Sequence, residues 1–272
     1  MSKSIEVLRP LRLDDIPAAY QLSAQANWNQ TEEDWRTLLD LAPKTCFGLE
    51  IRGELASTTT LICYGRRLGW IGMVLTKADF RRRGLARKLL QHTLNVADKM
   101  GIETLKLDAT DQGQPLYVQY GFRGEHQIER WSRPGGQTAH FPSVRTSSPA
   151  WAEPDLKYFG ADRSPLLERF AERNSSLHQN RAYLFARPGR VCSYIGPCIS
   201  DNPGDARTLI STCLENAGGS WFWDLFPNNR NAVAIARDLG FAPQRHLLRM
   251  ARGNELAQNI DATYAVAGFE LG

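Results

Sequence analysis

No run of eighteen apolar residues occurs anywhere in the 272-residue chain, so the sequence offers no transmembrane helix. The opening MSKSIEVLRPLRLDD has no apolar core of the kind that a secretory signal carries. The expected location is therefore the cytoplasm. Cysteine motifs are missing as well. Cys46, Cys63, Cys192, Cys198 and Cys213 make an odd number, none falls in C-x-x-C, and none stands beside a histidine at metal-ligand spacing. The histidines, His92, His126, His140, His178 and His246, are scattered. A disulfide framework and a metal site are both set aside, and the thiols read as buried or free. Strong charge of either sign is also lacking. The net charge is +4, and much of it is gathered in residues 81–88 and 123–145. A nucleic-acid binder spreads its Lys and Arg over a broad face interleaved with exposed aromatics. Clustering points instead to a local site for a small anion, with neither nucleic acid nor membrane as partner.

What is present is concentrated in residues 70–90, WIGMVLTKADFRRRGLARKLL. Residues 70–76 are apolar and β-branched, a strand pattern. Leu85, Leu89, Leu90 and Leu94 then recur at helical spacing. Between them lies Arg81-Arg-Arg-Gly-Leu-Ala86. A glycine loop that opens a helix leaves main-chain N–H groups unpaired at the positive end of the helix dipole, which favours an anion there. Gly84 and the small Ala86 let a ligand reach the main chain, and the arginines add charge, so a phosphate ester or pyrophosphate is the expected ligand.

This strand, loop and helix resemble the acetyl-CoA signature of the GNAT N-acetyltransferases, Q/R-x-x-G-x-G/A. The resemblance implies that Arg81, Arg82, Arg83, Gly84, Leu85, Ala86 and Arg87 hold the CoA pyrophosphate. It further implies that Val74, Leu75 and Thr76 pair their main chain with the pantetheine arm. Ala86 stands where many members have Gly. A second signal lies in DATDQGQPLYVQYGF: the family commonly has a Tyr four residues before Gly-Phe as the acid for the leaving thiolate. Here that residue is Tyr117, before Gly121 and Phe122. Seven residues earlier, where the family usually has Asn, stands Thr110, whose hydroxyl can still bond to the cofactor. Many relatives place a Glu on the strand before the loop to keep the amine neutral, but residues 70–76 hold no carboxylate. Asp108 is the nearest candidate base, and could equally cap Gln112 and Gly113. Trp28 and Asn29 precede a helix that Thr31 and Asp34 open as a capping box. In the resemblance this region lies over the acceptor cleft; Trp28 could instead pack on its own helix.

The rest of the chain fits an α/β (α+β) fold, a mixed central sheet flanked by helices, and the fold is duplicated. Residues 5–11 read as a first strand and residues 14–25 as a helix. Residues 46–51 and 55–64 form a hairpin about Arg52-Gly-Glu54. A helix over 85–100 stops at Gly101, and residues 104–109 make a parallel strand. Gly84-Leu-Ala86 to Gly121-Phe122 spans 37 residues, and Gly204-Asp-Ala206 to Gly240-Phe241 spans 36, with a helix, a strand and another helix between in each copy. The second copy carries Asp201 and Asp205 where the arginines stood and Ala236 in place of Tyr117, so it keeps the fold and has lost the cofactor. The expected division is 1–135 as catalytic domain, 136–150 as linker and 151–272 as degenerate domain. The expected activity is acetyl transfer from acetyl-CoA to a small-molecule amine. The alternative is a regulatory module that binds acetyl-CoA without turnover. A homodimer is allowed.

Overall fold

A computed structural model describes residues 6–135 and 151–272; the linker expected at 136–150 lies outside the described residues. The chain packs as two units, Met1–Lys106 and Leu107–Gly272. Among the described residues no helix is long and apolar enough to cross a membrane.

The first unit runs β1 (Glu6–Pro10), α1 (Ile16–Gln25), α2 (Glu32–Leu41), β2 (Cys46–Ile51), β3 (Glu54–Tyr64), β4 (Leu68–Thr76), α3 (Leu85–Met100) and the start of β5 (Thr104–Ala109). Strands β1 to β4 pair antiparallel in chain order, and β5 joins β4 in parallel. The β2–β3 turn places both Arg52 and Gly53 at positive φ, 55° and 80°. That conformation matches the twist of the flanking strands. At α2 the expected capping box is formed: Thr31 Oγ1 accepts from the Asp34 N–H at 3.2 Å, and Asp34 Oδ2 accepts from the Thr31 N–H at 2.7 Å. Trp35, Leu38 and Leu39 are buried, and the Trp35 indole donates to Ser23 Oγ. Leu85 and Leu89 bury against Phe47, Leu49, Ile51 and Ala56, each burial worth about 1.5–3 kcal/mol. Gly101, at φ 67°, ends α3, and Ile102 N–H returns to Ala97 O at 3.1 Å.

The second unit holds the end of β5, α4 (Gln114–Val118), β6 (Arg123–Arg133), α5 (Ala152–Phe159), α6 (Ser164–Arg173), β7 (Ser175–Gln179), β8 (Ala182–Arg187), β9 (Ser193–Ile199), α7 (Pro203–Asn216), β10 (Trp221–Leu225), α8 (Arg230–Asp238), β11 (Ala242–Gly253) and β12 (Thr263–Ala265). Strands β7, β8 and β9 pair antiparallel, and β10 joins β9 in parallel across α7. This repeats the pattern of β2, β3, β4, α3 and β5. The helix ends match in detail: Gly121 and Gly240 take φ 82° and 81°. Phe122 N–H bonds to Tyr117 O as Phe241 N–H bonds to Ala236 O. Trp131, Trp221, Trp223 and Phe241 fill the core between the sheet and α7 and α8.

Two strands were not foreseen. Residues 123–133 read as part of a basic stretch, yet they form β6, which pairs with β10 on one side and β11 on the other. The first copy of the repeat thus lends a strand to the second, and β6 lies in the second packing unit. β6 is hard to read because its inward residues include Arg130, which is buried only through its ion pair with Asp224. Residues 175–179 were passed over for the same reason of mixed polarity and form β7.

Candidate active site

In the first unit the loop before α3 is open to solvent. Residues 81–84 are exposed, while Leu85 is buried and ties the helix to the sheet. Arg82 and Gly84 both have positive φ, 61° and 78°, and no side chain caps the start of α3. Alternation of this kind turns successive N–H groups outward into an anion-binding concavity. A Cβ added at Gly84 would meet nothing within 4 Å. The space over the main chain there is free, as close approach of a phosphate requires. Arg81 Nε donates to Thr76 O at 3.2 Å, joining the loop to the end of β4, and the Arg83 guanidinium lies 5.1 Å from the Phe80 ring centroid.

Strand β4 is interrupted just where Val74, Leu75 and Thr76 begin. Met73 has φ 47°, and against β3 the register slips: Thr58 pairs with Leu75 and Thr60 with Gly72, so three steps on β4 face two on β3. This is a β-bulge at a non-glycine residue, a strained conformation of the kind that collects at functional sites. Thr58 Oγ1 donates to Met73 O at 2.8 Å and Ser57 Oγ to Leu75 O at 2.6 Å. These buried hydroxyls hold the bulge. The ladder between β4 and β5 comprises Gly69–Leu105 and Trp70–Lys106. The main chain of residues 71–76 therefore lies outside that ladder. Sequence reasoning missed the bulge, and only the run Ser57-Thr-Thr-Thr60 hinted at backbone needing side-chain support.

Trp28 is partly buried and Asn29 buried, and each is engaged with other residues. Trp28 N–H bonds to Ser23 O just after the left-handed Asn27.

In the second unit Tyr117 and Thr110 meet around Gly113. A Cβ at Gly113 would lie 3.0 Å from the Tyr117 ring, 3.5 Å from Thr110 O and 3.6 Å from Thr110 Oγ1. The absent side chain is what lets the ring lie there. Thr110 O accepts from Gly113 and Gln114 N–H and so starts α4. Tyr117 is 8% exposed and packs edge-on against Phe122 with centroids 6.0 Å apart. Burial pushes its pKa up to about 12, so the phenol keeps its proton at neutral pH. Its hydroxyl makes no hydrogen bond among the described residues, although a buried tyrosine usually finds one.

Asp108, the candidate base, lies in a buried ion pair. Its carboxylate is fully buried and gripped at both oxygens by Arg249, Nε to Oδ1 at 2.8 Å and Nη2 to Oδ2 at 2.9 Å, while Arg249 Nη1 reaches Gln258 Oε1. A bidentate arginine matches both oxygens of a carboxylate and fixes its orientation. Its partner, 141 residues away in sequence, carried no signal that spacing could reveal.

The second copy of the loop is closed upon itself. The Asn202 side chain accepts from Gly204 and Asp205 N–H, so the helix start that would face a phosphate is already capped. Asp205 accepts from Gln179 and Asn180, and Asp201 from the Tyr158 hydroxyl. Where β9 and β10 part, β12 enters. It pairs with β9 at Cys198 and Ile199, Val266 N–H bonds to Asp224 O of β10, and the Trp223 indole donates to Tyr264 O. Asn229 stands at the position equivalent to Thr110, seven residues before Ala236. It accepts from Ala232 N–H and donates to the carbonyls of Ile260, Asp261 and Thr263. The chain's own groups thus bond to one another where the two strands part.

Comparison with known proteins agrees with this duplication. Residues 9–122 match the acetyltransferase (GNAT) family and residues 152–265 an acetyltransferase (GNAT) domain. The uncharacterized N-acetyltransferase YitH of Bacillus subtilis (strain 168) is 28% identical over 173 residues, spanning 61% of this chain and 60% of that protein. Among solved structures, a candidate acetyltransferase from Pyrococcus horikoshii aligns over 100% of this chain and 98% of its own, with a TM-score of 0.86 at 20% identity. A GCN5-related N-acetyltransferase from Sphaerobacter thermophilus aligns over 93% and 97%, with a TM-score of 0.64 at 14% identity. At such identities the structures establish the fold. Acetyl-CoA is the cofactor of the family, and the open loop at Gly84 fits it. Two acetyltransferase domains stand in tandem, and the chain belongs to the GNAT acetyltransferases.

Proposed function

We propose that the chain transfers the acetyl group of acetyl-CoA to a primary amine of a small molecule by direct attack, in the cytoplasm, with residues 1–135 as catalytic domain and 151–272 as degenerate partner. The observation that carries the reading is the uncapped, solvent-open start of α3 beside the β4 bulge. When bound, acetyl-CoA supplies the acetyl group as an activated thioester. The N–H groups of residues 81–87 bind the pyrophosphate, with Arg81, Arg82, Arg83 and Arg87 adding charge. The main chain of Val74, Leu75 and Thr76 orients the pantetheine arm and polarises the carbonyl, and the Thr110 hydroxyl supplies a further bond. Trp28 and Asn29 border the acceptor. Tyr117 donates to the leaving sulfur. Alignment of the two reactants supplies much of the rate. Asp108 holds the end of β5 in place rather than accepting a proton. A mass-spectrometric screen of amines with acetyl-CoA tests the activity; acetyl-CoA binding without any acetylated amine would favour the sensing alternative.

Two binding experiments follow from the loops. Gly84→Ala is expected to weaken acetyl-CoA by at least about tenfold, because the new methyl occupies the space that the pyrophosphate needs. The control is Gly53→Ala, which has nearly the same left-handed backbone, φ 80° against 78°, and equally open space. Both lose about 1–2 kcal/mol of stability; only Gly84→Ala should lose affinity in calorimetry. Equal affinity of the two variants would remove the loop from the cofactor site. A calorimetric titration of the intact protein is also expected to saturate at one acetyl-CoA per chain, since β12 and Asn202 fill the second copy. Saturation at two would overturn this.

A further inference from the structure

In the second unit three arginines gather with two carboxylates. Arg130 grips Asp224 at 2.7 and 2.6 Å, and the Tyr194 hydroxyl donates to the same carboxylate at 3.0 Å. Arg187 lies 3.6 Å from Glu270 and donates to Gly196 O. Arg245 stands opposite Arg130 in the β6–β11 register. The two guanidinium groups lie 4.7 and 5.2 Å from the centroid of one ring, Phe269. Yet Arg245 makes no hydrogen bond and no ion pair among the described residues, and its Nε is buried without a partner. Burial and the neighbouring charge of Arg130 lower its proton affinity, but a guanidinium does not give up its proton in a protein. Tyr194 cannot balance it, because burial and Asp224 raise its pKa well above the usual value and keep it neutral. The cluster therefore carries one positive charge in excess, on a side chain that is partly exposed.

A partly buried charge without a counter-charge is unfavourable, and a planar fork of N–H donors is matched by a two-oxygen anion. We infer that Arg245 anchors a second ligand site that takes a small monocarboxylate, its apolar end against Phe269. A single charge is what the cluster lacks; a phosphate dianion would leave it one negative charge in excess. The site is independent of acetyl transfer and is tested without acetyl-CoA.

The experiment titrates acetate, propionate and benzoate, and separately inorganic phosphate, into the intact protein by calorimetry. The expected result is saturable binding of a carboxylate that is tighter than that of phosphate, and a loss of about tenfold or more in Arg245→Gln. Removal of an unbalanced charge should leave the melting temperature of Arg245→Gln equal or higher, so its fold stays readable. Arg245→Lys keeps the charge without the fork and should also bind more weakly than wild type; it carries the test should the Gln variant fail to fold. No saturable carboxylate binding, undiminished binding in either folded variant, or phosphate binding as tight as carboxylate would each overturn the site.

Discussion

Tyr117→Phe is expected to lower the acetyl-transfer rate by about 10²-fold while leaving acetyl-CoA affinity and stability nearly unchanged. The substitution keeps the ring that lies over Gly113 and against Phe122, and the hydroxyl it removes has no hydrogen bond to lose among the described residues. General acid catalysis is typically worth 10²–10⁴-fold. The lower end applies here because burial has pushed the pKa to about 12, well above the ordinary value for a thiol of about 8.5. Such a phenol stabilises developing negative charge on sulfur chiefly as a hydrogen-bond donor, and it gives up its proton less readily. The sign of the shift also fixes the pH dependence. A raised pKa keeps the donor form present throughout the neutral and mildly alkaline range, and the donor is lost only as pH rises through about 12. The rate should therefore show no alkaline fall from this group below about pH 11. A near wild-type rate in Tyr117→Phe would reduce the residue to packing, and turnover measured with an amine from the screen decides it.

The parts of this protein that were legible in the sequence are those whose stabilisation is local. The α2 capping box needs only Thr31 and Asp34, and α3 needs only its leucine spacing and Gly101, so their limits could be read closely. Repetition made the second copy visible, because Gly121-Phe122 and Gly240-Phe241 close their helices with the same pair of hydrogen bonds. What stayed hidden depends on partners far along the chain. Met73 bulges because Ser57 and Thr58 hold the carbonyls around it, and nothing in the residue itself favours φ 47°. β6 is polar in sequence because Arg130 is neutralised 94 residues away by Asp224. β12 fills the second cleft through main-chain bonds, which leave no pattern of residue types. Asn229 holds the position that Thr110 holds in the first copy, but its use against the carbonyls of Ile260, Asp261 and Thr263 required the structure.

Arg249→Met is expected to destabilise the protein by about 3–5 kcal/mol, the usual consequence of leaving one member of a buried ion pair without its partner. Both side chains of the Arg249–Asp108 pair are fully buried, and both carboxylate oxygens are bonded. Met preserves much of the apolar stem over Phe226, where the guanidinium now sits 4.8 Å from the ring centroid, so the loss reports the stranded carboxylate more than lost packing. For a chain of this size it corresponds to a fall of about 6–20 °C in melting temperature. The double variant Asp108→Asn with Arg249→Met should regain a large part of that loss, because the buried charge is then gone; the coupling is read from a double-mutant cycle. The same set separates the two roles open to Asp108. As a clamp on the end of β5, it should be replaceable by Asn in the double variant with the shape of the pH–rate profile unchanged, since no proton moves through it. As a base it would behave otherwise: Asn would remove the acidic limb of the profile and collapse the rate even in protein that stays folded. Strict additivity of the two substitutions in stability would overturn the clamp, and loss of that limb would return Asp108 to the chemistry.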